Sequence, residues 1–307
     1  MKIAFMGNPS FALPPLAAIS NSRHEIKAVV SNPPKPMGRK RILKHTEVGS
    51  FALENKIDLI ELDSFNDEVY KKLISIDVDI FVVVAFRILP EKFISIPKFG
   101  SINLHASILP KYRGAAPIQW ALMNGENTTG VSVFQIEKKV DTGKIIIQNK
   151  LKIEKNDNFE IISDNLSNIG AKALIKSLNL LEKGDVDFIK QDNSIFTKAP
   201  KISKDMLSIR WDWSAEKINN WIRGLSPRPG MTTKLQNKKI KILKASVVNT
   251  HSENEPGKIK IIENKKLQVY TGKGLISILE IQQEGKKSLP IEQFLRGINI
   301  VESDLFY

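Results

Sequence analysis

Runs of apolar residues alternate with segments of helical spacing over roughly the first two thirds of the chain. Residues 2–6, 26–31 and 79–86 are apolar and rich in β-branched side chains, as in strands buried within a parallel sheet. Apolar residues recur at helical spacing in other segments, of which 159–181 is the longest. Because strands and helices alternate, the sequence predicts an α/β domain with a mainly parallel, Rossmann-like sheet.

The pattern changes after residue 189. Residues 190–203 are polar and aperiodic, which predicts a linker. Ser214 is a good N-cap for a helix whose core face carries Ile218, Trp221, Ile222 and Leu225. Short strands are then predicted at 239–243, 257–262, 267–270 and 275–281. The predicted domains are therefore 1–189, a linker at 190–203, and a small OB-like β-barrel at 204–307.

Candidate chemistry lies between residues 100 and 143. Asn103 and His105 are two residues apart on a predicted strand and share one face. Asp141 follows just before a Thr-Gly turn. An amide can donate to a developing oxyanion, an imidazole can move a proton, and a carboxylate can orient the imidazole. This set suits acyl transfer to an amine, although the same spacing also occurs on ordinary strands and turns.

Composition restricts the class of protein. The formal net charge is +13, which favours a polyanionic partner, although a lysine-rich composition alone gives the same value. The chain has no cysteine and four scattered histidines, so we expect neither a disulfide nor a metal site. Prolines interrupt the apolar N-terminus, and the longest apolar run, 80–86, is too short to span a bilayer. We expect a cytoplasmic protein without a membrane segment.

A basic segment follows the second predicted strand. Residues 32–44 contain three prolines and a glycine, which predict a loop. Its cations have no acid among them, and they are Lys35, Arg39, Lys40, Arg41 and Lys44. Phosphate groups would order such a loop, whereas the simplest alternative is a solvated basic surface.

Several motifs in fixed order resemble the methionyl-tRNA formyltransferase family. They are Asn103-Leu104-His105, Ser107-Ile108-Leu109-Pro110, Arg113-Gly114-Ala115-Ala116-Pro117-Ile118 and Asp141-Thr142-Gly143. The resemblance implies transfer of a formyl group from 10-formyltetrahydrofolate to the amine of methionine on initiator methionyl-tRNA. It places Asn103, His105 and Asp141 at catalytic positions, and it places Ser107, Ile108, Leu109 and Pro110 in the turn that contacts folate.

The resemblance also implies where the two substrates bind. A second folate-contacting loop corresponds to Phe86, Arg87, Ile88 and Leu89, and here it is one residue shorter, with Arg87 replacing a glycine. The basic segment corresponds to a loop that enters the tRNA acceptor end, with Arg39 or Arg41 near an opened base pair. Residues 201–307 carry a net charge of +8 and the first 200 residues +5, as a tRNA-binding second domain requires. We expect a monomer without a bound metal.

The proposed chemistry predicts that Asn103 and protonated His105 stabilise the oxyanion of a tetrahedral intermediate. Asp141 is predicted to lie within hydrogen-bond reach of His105 and to support it. The nearest alternatives are other folate enzymes: a glycinamide-ribonucleotide or sugar-nucleotide formyltransferase, or a formyltetrahydrofolate hydrolase or dehydrogenase. An RNA-binding protein without catalysis and a nicotinamide oxidoreductase are more distant, because the polar triad is intact and the turn at 7–11 lacks the dinucleotide glycine pattern.

Overall fold

The computed structural model describes residues 1–38, 41–251, 254–298, 300–301 and 304–307. Arg39 and Lys40, both predicted tRNA contacts, lie outside the described residues. Chain contacts divide the protein into two units. The first comprises Met1–Pro117, Thr128–Lys152 and Ser163–Pro200, and the second comprises Ile118–Asn127, Ile153–Ile162 and Lys201–Tyr307. Most of the predicted linker therefore belongs to the first unit.

The elements up to residue 200 largely alternate between strand and helix, as the sequence predicts. In chain order they are β1 (Lys2–Gly7), α1 (Leu13–Ser20), β2 (Glu25–Ser31), β3 (Lys35–Met37), β4 (Ile42–Lys44), α2 (Glu47–Glu54), β5 (Leu59–Glu61), α3 (Asp67–Ser75), β6 (Ile80–Val84), α4 (Glu91–Ile94), β7 (Ser101–His105), β8 (Arg113–Gly114), α5 (Pro117–Met123), β9 (Thr128–Gln135), β10 (Ile145–Lys152), α6 (Phe159–Lys183) and β11 (Lys198–Ala199).

Within the described residues, seven strands form the main sheet of the first unit, in the order β10-β9-β7-β6-β1-β2-β5. The five strands from β7 to β5 pair in parallel, and β9 and β10 add an antiparallel edge. All five residues of β6 are buried, as expected of a central strand. The carboxyl ends of the parallel strands meet at one edge, where open α/β sheets bind their ligands.

Helix α6 fixes the back of strand β7. A Cβ added at Gly170 would lie 2.7 Å from a methyl group of Leu104, so the helix approaches the strand as closely as a glycine allows. Leu104 is 2% exposed and Ile102 is fully buried. The apolar face of β7 is therefore anchored, and its opposite face carries Asn103 and His105.

The basic segment after β2 is a β-hairpin, so the prediction of a loop is wrong. Strands β3 and β4 pair antiparallel, with Lys35 opposite Lys44 and Met37 opposite Ile42. Gly38 follows β3 in the left-handed region, at a φ of 69°. Pro36 is tolerated because each strand of a two-stranded ribbon is an edge. The prolines hid the strand pattern without preventing the pairing.

The second unit is a mainly antiparallel β domain. Its further elements are α7 (Ala215–Leu225), β12 (Met231–Leu235), β13 (Lys238–Asn249), β14 (Ile259–Ile262), β15 (Lys266–Tyr270), β16 (Leu275–Gln283), β17 (Ser288–Pro290) and α8 (Ile291–Arg296). Ser214 caps α7 by accepting a hydrogen bond from the Lys217 backbone N–H at 3.2 Å. Ile218, Ile222 and Leu225 are buried as predicted, and Trp221 packs against the same core.

The segment around residues 305–307 joins the two ends of this sheet. Six strands of the described chain run in the order β12-β13-β16-β15-β14, with β17 added to β16. The Tyr307 carbonyl accepts from the Lys234 N–H at 2.8 Å, and the Phe306 N–H donates to the Gly257 carbonyl at 2.9 Å. One segment thus supplies backbone partners both to β12 and to Gly257 just before β14, which covers part of both edges of the sheet.

Candidate active site

Strand β7 presents two polar side chains at its carboxyl end. Asn103 is partly exposed and His105 is 5% exposed. Among the described residues, the side-chain amide of Asn103 has no hydrogen-bond partner. An amide that the protein leaves unpaired beside a buried imidazole is free to donate to a bound substrate.

The imidazole of His105 is fixed through one nitrogen. Its Nε2 lies 2.9 Å from the carbonyl oxygen of Tyr112. Because a carbonyl oxygen only accepts, we assign the hydrogen to Nε2, which donates. The ring of Phe134 packs edge-on against the imidazole, with the centroids 6.4 Å apart. Nδ1 is therefore the nitrogen left to gain or lose a proton.

Asp141 faces that nitrogen at a longer distance than predicted. Its Oδ2 lies 3.9 Å from Nδ1 of His105, within ion-pair range, and the predicted direct hydrogen bond is wrong. The same oxygen accepts from the Gly114 N–H at 2.8 Å. Asp141 also has a φ of 55°, a left-handed backbone that is uncommon outside glycine. Strand β8, rather than the imidazole, fixes the carboxylate.

Gln191 holds the turn that carries Asp141, and the sequence reasoning missed it. Its Nε2 donates to the carbonyl oxygens of Asp141 at 3.0 Å and Gly143 at 2.8 Å. Its Oε1 accepts from Nη2 of Arg113 at 2.6 Å. A Cβ added at Gly143 would lie 1.7 Å from the Gln135 carbonyl oxygen, so only glycine fits at this position of the turn. No local signal identifies Gln191, because it lies in an aperiodic polar segment 50 residues from its partner.

The turn at 107–110 is held rigidly from the neighbouring strands. Ser132 on β9 donates to the Ser107 carbonyl at 2.7 Å and accepts from the Leu109 N–H at 3.0 Å. Gln148 on β10 donates to the Leu109 carbonyl at 2.8 Å. Ser107, Leu109 and Pro110 are buried and Ile108 is partly exposed. The turn thus offers a bound molecule a fixed shape rather than free polar groups. Ser132 and Gln148 were also missed by the sequence reasoning.

Comparison with known proteins decides the family. The profile of the formyl transferase family matches residues 1–178, and the profile of its C-terminal domain matches residues 201–299. The methionyl-tRNA formyltransferase of Thermodesulfovibrio yellowstonii is 41% identical over 302 residues, covering 98% of this chain and 97% of the relative. That of Caldanaerobacter subterraneus subsp. tengcongensis is 39% identical over 308 residues, covering 99% of each. The chain belongs to the methionyl-tRNA formyltransferase family.

A solved structure supports the fold. The N-formyltransferase from Helicobacter canadensis, in complex with folinic acid and dTDP-3-aminofucose, matches with a TM-score of 0.69 at 22% identity, covering 92% of this chain and 99% of that chain. The predictions of a folate-dependent formyltransferase of this family, with a Rossmann-like sheet followed by a small β domain, are confirmed.

The four residues predicted for the second folate loop, 86–89, differ from one another in burial and in their contacts. Nε of Arg87 donates to Asn32 at 2.7 Å, and its guanidinium also donates to the Asp63 carbonyl. Phe86 packs edge-on against Phe65, and Leu89 is 5% exposed in the same core. Ile88 is 70% exposed. Arg87 therefore links this loop to the segments that follow β2 and β5.

The predicted tRNA contacts that the structure describes lie on the β3–β4 hairpin. Lys35, Arg41 and Lys44 are exposed, and none of them forms an ion pair with another described residue. Lys35 and Lys44 face each other across the hairpin, an arrangement that like charges disfavour. Met37, Ile42 and Leu43 on the same hairpin are 54%, 55% and 66% exposed. The hairpin thus combines unpaired cations with exposed apolar side chains.

The described residues also bear on membrane and metal sites. No helix there combines the length and the apolar composition needed to cross a membrane. No group of three or more histidine, aspartate or glutamate side chains there is arranged to hold a metal ion.

Proposed function

We propose that the protein transfers the formyl group of 10-formyltetrahydrofolate to the α-amino group of methionine on initiator methionyl-tRNA. The observation that carries this proposal is the unpaired amide of Asn103 beside the buried imidazole of His105, with Asp141 at 3.9 Å from Nδ1. Relatives that are similar over nearly their whole length and carry the name methionyl-tRNA formyltransferase support it.

Asn103 has the role of an oxyanion donor. Attack of the methionyl amine on the formyl carbon forms a C–N bond and moves negative charge onto the formyl oxygen. A preorganised donor aimed at that oxygen stabilises the tetrahedral intermediate more than the substrate. Asn103 can donate without breaking an existing hydrogen bond, because its amide has no partner among the described residues.

His105 moves the proton, and in its protonated form it stabilises the oxyanion together with Asn103. When the intermediate collapses, the bond from carbon to N10 of the folate breaks, and N10 must gain the proton that the amine loses. Nδ1 of His105 can take that proton and deliver it, since Nε2 stays bonded to the Tyr112 carbonyl. The Asp141 carboxylate attracts the imidazolium while it carries the proton.

Substrate binding follows from the remaining predicted residues. The folate contacts are assigned to Ser107, Ile108, Leu109 and Pro110 and to Phe86, Arg87, Ile88 and Leu89. The acceptor end of the tRNA is assigned to the hairpin and to the domain at 204–307. Cations without protein partners bind phosphates favourably, because counterions are released. Initiator tRNA is selected because an acceptor end without a sound terminal pair costs less to open.

Formylation of charged tRNA tests the proposal directly. The protein is incubated with 10-formyltetrahydrofolate and either initiator or elongator methionyl-tRNA. The amino acid is then released from the tRNA, and its mass is measured by mass spectrometry. We expect formylmethionine, formed faster on the initiator tRNA. Release of formate without formylmethionine would indicate a hydrolase. Transfer to an amino-sugar nucleotide, supplied in a parallel reaction, would indicate a different acceptor.

A further inference from the structure

The β3–β4 hairpin depends on its two ends for its position. Within the described part of the chain, β3 and β4 pair only with each other, in a two-stranded sheet separate from the main sheet. A two-stranded hairpin is only marginally stable in water by itself. Met37, Ile42 and Leu43 are exposed, so these apolar side chains do not anchor the hairpin in a core. The contacts at its entrance and exit therefore decide where the hairpin lies.

The chain that leaves the hairpin is held by the main sheet and by α2. Oγ1 of Thr46 lies 2.5 Å from Oγ of the fully buried Ser31, the last residue of β2. Thr46 is also the N-cap of α2 and accepts from the Gly49 N–H at 2.9 Å. Nδ1 of His45 lies 2.7 Å from Oε1 of Glu61, the last residue of β5. The exit of the hairpin is thus fixed to elements of the first unit.

The chain that enters the hairpin is held through Asn32. Its backbone N–H donates to Oδ1 of Asn8, in the turn after β1, at 2.9 Å. Its side-chain Oδ1 accepts from Nε of Arg87, in the loop after β6, at 2.7 Å. The backbone of Asn32 is therefore fixed by the turn after β1, whereas its side chain is fixed by the loop 86–89. That loop is the one assigned above to the folate.

Arg87 reaches Asn32 across a neighbouring strand. Strand β1 lies between β6 and β2 in the main sheet. Neighbouring strands lie about 4.8 Å apart, so a contact from the end of β6 to the end of β2 must span about 10 Å. Ala85, directly after β6, has a left-handed backbone with a φ of 49°, and the chain turns there. The guanidinium also donates to the Asp63 carbonyl after β5. A glycine at position 87 could make neither contact.

We infer that Arg87 is a positioning residue that couples the binding of folate to the binding of tRNA through its hydrogen bond to Asn32. This inference rests on the proposed function, which assigns the loop 86–89 to the folate and the hairpin to the tRNA. A folate that orders the loop also orders the guanidinium, which in turn holds the entrance of the hairpin. Because less of the hairpin then remains to be ordered by the tRNA, each substrate raises the affinity for the other.

The first measurement is the coupling itself, which needs no turnover. The affinity of the full-length protein for initiator methionyl-tRNA is measured with and without saturating tetrahydrofolate, which has no formyl group to transfer. The ratio of the two dissociation constants is the coupling factor. We expect tetrahydrofolate to tighten the binding of the tRNA by about tenfold, within the usual range for coupled sites. Linkage requires the tRNA to tighten the binding of tetrahydrofolate by the same factor.

Asn32→Ala removes the acceptor of the Arg87 bond and keeps the backbone N–H that donates to Asn8. We expect the coupling factor to fall to about one, with the affinity for tetrahydrofolate alone at its wild-type value. Arg87→Ala should lose the coupling as well. The double variant should lose no more coupling than either single variant, because all three remove the same hydrogen bond.

Arg23→Ala is the matched control. Nε and Nη2 of Arg23 also donate to the amide oxygen of an asparagine, Asn179, at 3.1 Å and 2.9 Å, and Arg23 belongs neither to the loop 86–89 nor to the hairpin. This variant should keep the wild-type coupling factor. Melting temperatures establish that each variant is folded.

Two outcomes of the binding measurements overturn the inference. One is a wild-type protein whose affinity for the tRNA is the same with and without tetrahydrofolate. The other is the wild-type coupling factor in Asn32→Ala or Arg87→Ala, which, if Arg87→Ala also binds tetrahydrofolate more weakly, leaves Arg87 with a folate contact alone. Absent formylation by the wild-type protein would instead be a failure of the proposed function, and it is distinguishable because the coupling is measured without formyl transfer.

Discussion

The end of β7 and the β3–β4 hairpin contrast in how their polar groups are satisfied. At the end of β7, His105 is buried, bonded to Tyr112 and faced by a carboxylate that Gly114 fixes. On the hairpin, Lys35, Arg41 and Lys44 are exposed and unpaired among the described residues, and like charges face each other across the strands.

This difference separates two tasks. Groups that do chemistry must be held in place before the substrate arrives, because reorganising them during the reaction raises the barrier. Groups that attract a long anion bind it more tightly when they stay solvated and unpaired until phosphates replace their counterions. The interior of the first unit therefore specifies geometry, and its surface supplies charge.

The largest expected effect comes from the preorganised side. Asn103→Ala and His105→Ala should each lower single-turnover formylation by about 100-fold or more, the usual cost of losing an oxyanion donor. Affinity for the tRNA should not change, because neither side chain is part of the charged surface. Formylation at the wild-type rate by either variant would remove that residue from the mechanism. Thermal unfolding establishes that the variants are folded.

Gln191 tests whether preorganisation depends on groups that do not touch the substrate. Gln191→Glu keeps an acceptor for Arg113 and loses the donor to the carbonyls of Asp141 and Gly143. We expect kcat to fall about tenfold, as two lost hydrogen bonds suggest, with KM for the tRNA little changed. Gln191→Ala should have at least the same effect. A change in KM alone would place Gln191 in binding rather than in positioning.

Substitutions in the β3–β4 hairpin should weaken tRNA binding and leave the rate at saturating tRNA unchanged. Arg41→Ala/Lys44→Ala should weaken tRNA binding by about tenfold and reduce its salt slope by about two units, with the affinity for folate intact. Lys172→Ala/Lys176→Ala removes the same charge from α6 and is the control. A salt slope equal to that of wild type would contradict the role of the hairpin. A loss in kcat at saturating tRNA would show that the two regions are not separate.

The smallest expected effect concerns stability and bears on any pH study of His105. Burial lowers the pKa of His24, whose Nε2 has no partner. As the pH falls below about 6.5, the unfolded chain binds the proton before the folded chain does, so stability is retained above that pH and decreases below it. The loss is at most about 1.4 kcal/mol per pH unit. The free energy of unfolding, measured in urea at pH 7 and at pH 5.5, should therefore decrease less in His24→Gln than in wild type. An equal decrease in the two proteins would show that His24 does not cause the pH dependence.

The sequence predicted what depends on local patterns. The strand that carries Asn103 and His105 was predicted correctly, because these two residues alternate with Ile102 and Leu104 and only one face is apolar. The Ser214 cap and the buried face of α7 followed from equally local rules. The end of β13 did not, since register shifts against β16 carry the strand on to Asn249, well beyond the predicted residue 243.

The site was predictable in its residue types and not in its supports. Asn103, His105 and Asp141 were proposed from type and order, whereas Gln191, Ser132 and Gln148 hold the site through contacts with residues far away in sequence. The 3.9 Å between His105 and Asp141 was also beyond prediction, because it depends on the Gly114 N–H taking the carboxylate. These supporting contacts join residues that are far apart in sequence, and such contacts leave no local pattern in a single sequence.

The bond between Nε2 of His105 and the Tyr112 carbonyl has a consequence for how the two substrates approach the imidazole. With one ring nitrogen occupied, a proton that His105 accepts must leave by the atom through which it entered. The proton lost by the methionyl amine and the proton gained by N10 of the folate then both pass through Nδ1 of His105. The attacking amine and the leaving N10 must therefore both approach His105 from the side of the ring that carries Nδ1.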